Sequence, residues 1–280
     1  TGPLYGELTV LSNHRHRFLI AEQLDDIGER NARIVLEPVG RNTAASACIA
    51  ALLTARADPA GLLLLAPSDH MIADSAAFAE AVSAGIPAAQ DDALVVFGIA
   101  PDCPHTGYGY IETDAPSAAQ ERQAPLPVKR FVEKPSRDTA EAYLDSGRYL
   151  WNAGIFLMRA DQFLAELAAH APDIAQAVGK AWAGAARDGA RNFPEPAAFA
   201  DCPSNSIDYA VMEKSDRVAV VPVAMDWSDV GSWDALYDIG RKDDGGNVIN
   251  GPARLEGVTG SLVESDGIRI SAAGISDLII

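Results

Sequence analysis

An alternation constrains this chain more than any other feature: apolar runs of four to six residues recur between longer stretches of helical character. Runs of that length suit buried strands, and the segments between them are long enough to serve as crossover helices. Expected strands are Leu8 to Leu11, Ile34 to Leu36, Leu62 to Leu65, Leu94 to Phe97, Val128 to Val132, Gly154 to Met158 and Val218 to Val221. Asn42 or Thr43 can cap a helix running to Ala57, and Ser75 can cap one over Ala76 to Ala84. A helix opened by Asp138 closes at Gly147, and one opened by Asp161 ends at His170, before Pro172. The pattern predicts an α/β domain over residues 1–241 with a mainly parallel sheet and flanking helices.

Beyond Lys242 the character changes. Short apolar runs at Val248, Leu262, Ile268 and Leu278 alternate with glycines and acidic residues without a helical period, which predicts a small β-appendage over 242–280. Residues 194–203, rich in Pro and Ala, read as a loop. Neither end of the chain carries a boundary signal: it starts at Thr1 and stops inside the run DLII, as a segment of a longer protein would.

The formal net charge of −17 repels polyanions, which disfavours an extended DNA- or RNA-binding surface while leaving small phosphorylated ligands open. Apolar runs such as Leu62 to Ala66 are too short to span a bilayer, so no membrane partner is expected. Cys48, Cys103 and Cys202 are odd in number and widely spaced, which fits neither a disulfide framework nor a cysteine zinc site and suggests a reducing cytoplasm. TGPLYGELTV has no charged region followed by an apolar one, so no secretory signal is read there.

In open sheets, ligands collect beyond strand ends, so polar residues that terminate apolar runs are the ones to weigh. LLLLAPSDH ends in Asp69 and His70, FVEKP in Glu133 and Lys134, and MDWSDVGSW carries Asp226 and Asp229. Each has a plain alternative: Asp69 and Asp229 as turn residues, His70 as a hydrogen-bonded wall, Glu133 and Lys134 as a solvated edge. Two carboxylates at strand ends also suit a Mg²⁺ that keeps its other positions for water and phosphate. Strand alternation sends Glu133 and Lys134 to opposite faces, so the two are not expected to neutralise each other. In TGYGYIE the glycines permit either a close ligand approach or an ordinary hairpin. GRNT offers backbone N–H groups to an anion or only a helix cap, and Asn152 of WNAGIF offers an amide to a hydroxyl or to a turn. There is no GxGxxG or P-loop pattern.

Taken together and in order, HRFLIAEQL, EPVGRNTA, LLLAPSDH, TGYGYIE, FVEKP, YLWNAGIFLMRA, SIDYAVMEK and DWSDVGSWDAL resemble the nucleotidyltransferase domain of the mannose-1-phosphate guanylyltransferase (GDP-mannose pyrophosphorylase) family. The resemblance implies a Rossmann-like α/β domain followed by the start of a left-handed β-helix. It implies that Asp69 and Asp229 hold a catalytic Mg²⁺, with Asp69 also near the nucleotide. It implies that Lys134 meets the phosphate of the sugar phosphate and Glu133 the sugar hydroxyls. Gly109, Tyr110, Asn152, Gly154 and Asp208 would line the mannose pocket, and Arg41 and Asn42 would lie near the nucleotide. The implied substrates are GTP and mannose 1-phosphate, and a homo-oligomer is compatible with the family. Two departures stand out: the family's glycine-rich loop with its Arg and Lys has no counterpart ahead of Thr1, and Ala45 replaces a common Pro. Two other functions stay open, a relative using glucose 1-phosphate with UTP or dTTP and a non-catalytic regulatory subunit.

Overall fold

The structure is a computed structural model that describes residues 4–114 and 124–280. In chain order its strands are β1 (Thr9–Asn13), β2 (Arg33–Glu37), β3 (Leu62–Leu65), β4 (Met71–Ile72), β5 (Leu94–Ile99), β6 (Gly109–Thr113), β7 (Leu126–Glu133) and β8 (Tyr149–Arg159). There follow β9 (Ala186–Asp188), β10 (Arg191–Phe193), β11 (Val218–Pro222), β12 (Trp227–Ser228), β13 (Val248–Asn250), β14 (Ala253–Glu256), β15 (Leu262–Glu264) and β16 (Ile270–Ala273). The helices are α1 (Arg17–Asp26), α2 (Thr43–Ala57), α3 (Ser75–Gln90), α4 (Arg137–Ser146), α5 (Ala160–His170), α6 (Pro172–Ala183), α7 (Pro196–Ala200) and α8 (Trp233–Ile239).

By its internal contacts the chain divides into two units: Thr1–Pro67 with Ser75–Met225, and Ser68–Asp74 with Asp226–Ile280. This division places the boundary at Met225, upstream of the expected 241, and it assigns the loop carrying Asp69 to the second unit. The reason is the short ladder between β4 and β12, which pairs Ile72 with Trp227 and Met71 with Ser228.

The first unit holds a four-stranded sheet in the order β1-β2-β10-β9 and a six-stranded sheet in the order β3-β8-β5-β11-β7-β6. The small sheet carries parallel pairs at β1–β2 and β2–β10. The large one is mixed, where the sequence pattern predicts mainly parallel pairing: β5–β11 is parallel, while β3–β8, β5–β8, β6–β7, β6–β8 and β7–β11 are antiparallel. Strand β8 is the cause. Its eleven residues extend well beyond the expected Gly154 to Met158 and serve β3, β5 and β6 as an antiparallel partner.

Helix α2 is buried almost all round, through Ala44, Ala45, Ala47, Cys48, Ile49, Ala50, Ala51 and Leu53, as expected of a helix with elements packed on every side. It touches β1, β3, α5 and α6. Helix α3 continues to Gln90 through Pro87, past the expected end at Ala84. Its apolar side, with Ala81, Val82 and Ala89 buried, packs on β5, β8 and β11, and this packing outweighs the cost of an interior proline. The expected loop at 194–203 contains α7, capped by the Glu195 carboxylate, which accepts from the Ala197 and Ala198 N–H groups.

In the second unit, α8 is capped by Ser232 Oγ, which accepts from Ala235 N–H at 3.0 Å. The remaining strands pair in parallel, β13 with β15 and β14 with β16, and isolated bridges join Thr259 to Ser276 and Leu262 to Ile279.

Candidate active site

Strand β7 ends at Glu133, and the next residue leaves the strand abruptly. Lys134 has φ +49°, a left-handed conformation that costs a non-glycine residue about 1 kcal/mol or more. This kink overturns the expectation from strand alternation. Lys134 turns back onto its neighbour, and its Nζ lies 3.4 Å from Glu133 Oε1. The Glu133 side chain is 11% exposed and that of Lys134 59% exposed, so the pair is a buried acid beside a solvent-facing base.

A glycine lies opposite this acid. Gly109 pairs with Glu133 across β6 and β7, and a Cβ at 109 would stand 2.6 Å from Glu133 Oε2. Tyr110, the next residue, is wholly buried, donates its hydroxyl to the His105 carbonyl at 2.9 Å and packs against Tyr143 and Tyr149. Its ring therefore belongs to the core, and its contribution to a ligand site would come from its backbone.

A bulge in β8 supplies the next groups. Between the pairs Val96–Phe156 and Gly98–Asn152 the register shifts, and Gly154 within it takes φ +69°. Asn152 Oδ1 accepts from Gly154 N–H at 3.1 Å, which leaves Asn152 Nδ2 to donate to Asp208 Oδ1 at 3.0 Å. Asp208 opens a single π-helical turn, Asp208–Met212, of a kind frequent at functional sites. The structure thus brings Gly109, Glu133, Lys134, Asn152, Gly154 and Asp208 into one neighbourhood of the first unit.

The electrostatics of that neighbourhood are set by burial. Desolvation first, and the nearby Asp208 charge second, push the Glu133 carboxyl up to about 7, against the downward pull of Lys134. Burial likewise raises Asp208, opposed by its hydrogen bonds, including that from Asn152.

Arg41 and Asn42 sit at the start of α2. Asn42 has φ +65°, and its Oδ1 caps the helix by accepting from Thr43 N–H at 2.8 Å. The Arg41 guanidinium donates to the Ala200 carbonyl, and its Nε is buried without a hydrogen-bond partner. Backbone and side-chain bonds, Ala44 N–H to Asn205 O, Asn205 N–H to Arg41 O and Ile207 N–H to Thr43 Oγ1, tie this segment to the chain that leads into Asp208.

In the second unit, the β4–β12 register places Asp69 and Asp229 at the same end of one two-stranded ribbon. His70 is held there as a wall: its Nδ1 accepts from Trp227 Nε1 at 3.1 Å. Asp229 Oδ1 accepts from Gly231 N–H at 3.0 Å, and the intervening Val230 has φ +51°, a strained conformation for a β-branched residue. Among the described residues no group of three or more His, Cys, Asp or Glu side chains is arranged to hold a metal. A pair of carboxylate oxygens fits a hard cation that completes its shell with water and substrate oxygens.

Glu213 has no role assigned from the sequence, although SIDYAVMEK contains it. Its Oε1 accepts from the Glu133 backbone N–H at 2.9 Å, a link between residues eighty positions apart.

The end of β7 thus carries a buried acid and an exposed base, while the β8 amide of Asn152 bonds a second acid, Asp208, on the π-helical turn. Residues 5–245 match the family model described as nucleotidyl transferase, and the chain belongs to that family. It is 43% identical over 275 residues to mannose-1-phosphate guanylyltransferase of Klebsiella pneumoniae, an alignment covering 98% of this chain and 58% of that protein. It is 48% identical over 242 residues to the xanthan biosynthesis protein XanB of Xanthomonas campestris pv. campestris, covering 86% and 50% respectively. This chain therefore spans little more than half the length of these curated relatives. Among solved structures, mannose-1-phosphate geranyltransferase from Thermus thermophilus aligns with a TM-score of 0.83 at 30% identity, covering 97% of this chain and 76% of that one. Mannose-6-phosphate isomerase from Helicobacter pylori aligns with a TM-score of 0.72 at 33% identity, covering 80% and 85%. Among the described residues no helix is long and apolar enough to cross a membrane.

Proposed function

We propose that this chain is the nucleotidyltransferase part of a mannose-1-phosphate guanylyltransferase, which converts GTP and mannose 1-phosphate to GDP-mannose and pyrophosphate. The observation that carries the reading is the Glu133–Lys134 turn opposite Gly109 and beside Asn152 and Asp208, together with several guanylyltransferase relatives above 40% identity.

The sugar phosphate has a second ionisation near pH 6, by analogy with other phosphomonoesters, so at neutral pH it is largely a dianion and needs no general base. Its oxygen attacks the α-phosphorus of GTP, one P–O bond forms, the bond to the β-phosphate oxygen breaks, and pyrophosphate leaves. No covalent enzyme intermediate is required. The protein's part is to position the reactants and neutralise charge. Lys134, whose Nζ lies beside Glu133, would turn its charge to the sugar phosphate. The Glu133 carboxylate then accepts from sugar hydroxyls. Asn152 and Asp208 offer further polar groups to the ring, as do the Gly109 and Tyr110 backbone. Arg41 and Asn42, at the start of α2, would lie by the nucleotide.

Asp69 and Asp229 would hold a divalent cation, which we take to be Mg²⁺; when bound it withdraws charge from phosphate oxygens. The parallel ladders after residue 247 are, in this reading, the first coils of a left-handed β-helix. The three dispersed cysteines support a reducing, cytoplasmic setting in this reading, and a homo-oligomer is compatible with it.

The test is pyrophosphate release by the full-length protein with GTP, UTP or dTTP paired with mannose 1-phosphate or glucose 1-phosphate. Release confined largely to GTP with mannose 1-phosphate supports the reading. Preference for glucose 1-phosphate with another nucleotide would move it to a sister activity, and no release with any pair would favour a regulatory subunit.

A further inference from the structure

We propose that Glu213 is a positioning residue that braces the Glu133–Lys134 turn; this rests on the functional reading above. The argument begins with an accounting of backbone donors. Backbone N–H groups along a strand point alternately to its two sides, and Lys134 N–H bonds Tyr108 O at 3.2 Å on the β6 side. Glu133 N–H therefore points away from β6, toward the side where β11 would lie. But β11 pairs with β7 only at Leu126 and Pro127, at the far end of the strand. The Glu133 donor would have no strand to bond, and Glu213 Oε1 fills that place at 2.9 Å.

The acceptor comes from the same turn that presents Asp208. The π-turn is closed by Glu213 N–H bonding Asp208 O at 2.9 Å, so the two carboxylates project from the two ends of one hydrogen-bonded turn. One carboxylate meets Asn152, and the other holds the residue from which Lys134 departs. Lys134 stays at φ +49° only if its surroundings over-determine that conformation. The bonds at Glu133 N–H and Lys134 N–H are those constraints, one on each side of the chain. Glu213 thus ties the spacing between the sugar-facing acid Asp208 and the phosphate-facing base Lys134 to a single backbone loop.

Two measurements on the full-length protein test this together. Site-resolved amide hydrogen exchange at Glu133 reads the brace itself, and steady-state kinetics with varied mannose 1-phosphate read its consequence. Glu213→Ala should speed exchange at Glu133 and raise KM for mannose 1-phosphate, each by about tenfold, the size expected for one lost hydrogen bond to a charged acceptor. KM for GTP should stay within about twofold, because only the sugar-phosphate contacts move. Glu213→Gln keeps an oxygen acceptor and should restore most of both readouts. Unchanged exchange and unchanged KM in the alanine variant would overturn the proposal, as would a glutamine variant as impaired as alanine. If the wild-type protein does not turn over mannose 1-phosphate, the functional reading falls, and the exchange measurement alone decides the brace.

Discussion

Gly109 and Glu133 face each other across β6 and β7 so closely that a single methyl group at 109 would stand 2.6 Å from Glu133 Oε2. The same hypothetical Cβ would press on Asn152 Cβ at 3.3 Å and on the Phe131 ring at 3.4 Å. Two residues of the candidate sugar site, Glu133 and Asn152, and the core ring of Phe131 are therefore packed against one absent side chain. Gly109→Ala should displace the Glu133 carboxylate and raise KM for mannose 1-phosphate by roughly tenfold or more, while thermal stability falls by only about 1–3 kcal/mol, as for a modest overpacking. Kinetics and thermal unfolding of the variant check the two effects separately.

Lys134 carries both a charge and a backbone conformation, and two substitutions separate them. Lys134→Ala and Lys134→Gly should each lose at least about a hundredfold in kcat/KM, the loss expected when one phosphate-neutralising group is removed. Glycine accepts φ +49° without the penalty that alanine meets, so the glycine variant should be the more stable by up to about 1 kcal/mol. Equal stability in urea unfolding would contradict the strained turn.

The Glu133 carboxyl, raised to about 7 chiefly by burial, makes stability depend on pH with a definite sign. A carboxyl whose folded-state value lies above its unfolded value binds more protons when folded. Its contribution is complete below the unfolded value and is lost as pH rises through about 7. Relative to Glu133→Gln, the wild type should lose about 1–3 kcal/mol between pH 5 and pH 8. Urea unfolding of both proteins across that range reads the difference, and parallel curves would refute it.

Asn152 is a buried amide whose Nδ2 hydrogen satisfies Asp208. Asn152→Leu removes that donor and leaves Asp208 with only its other hydrogen bonds, which should cost about 1–3 kcal/mol of stability. Asn152→Ala combined with Asp208→Ala should cost less than the sum of the single changes, because the two side chains share one hydrogen bond.

Much of the fold was legible because the sequence punctuates it. LLLL lies between Gly61 and Pro67, and β3 covers Leu62–Leu65 as expected. Gly147, at φ +62°, closes α4 as expected, while the helix opens at Ser136 rather than at Asp138, which lies in its first turn. The departures come from interactions that act over distance. The expected helix ends at Ala84, yet packing on three strands carries α3 on through Pro87 to Gln90. β8 reads as a short strand because its first residues, YLWNA, mix polar and aromatic groups; only its three partners show that they are strand. At the site, the motif residues are visible one by one, but Lys134 has no glycine or asparagine to mark its left-handed turn. Glu213 is invisible to local patterns because its partner is Glu133, far away in sequence.

The ribbon formed by β4 and β12 gives the metal assignment its own test. Asp229→Asn keeps an oxygen for Gly231 N–H, so the turn should survive while a cation ligand is weakened. Asp69→Asn and Asp229→Asn should each need a higher Mg²⁺ concentration for half-maximal activity and lose about a hundredfold or more in rate, with unfolding midpoints near wild type. An unchanged Mg²⁺ requirement would remove these residues from the cation site.

The central claim is that the Glu133–Lys134 turn receives a sugar phosphate for guanylyl transfer, and the most direct measurement is GDP-mannose formation from GTP and mannose 1-phosphate by the full-length protein and by Lys134→Gly. The account predicts product from the wild type, with matching pyrophosphate release, and a loss of at least about a hundredfold in the variant without loss of fold. Wild-type rates in a folded Lys134→Gly protein, or no GDP-mannose from the wild type, would contradict it.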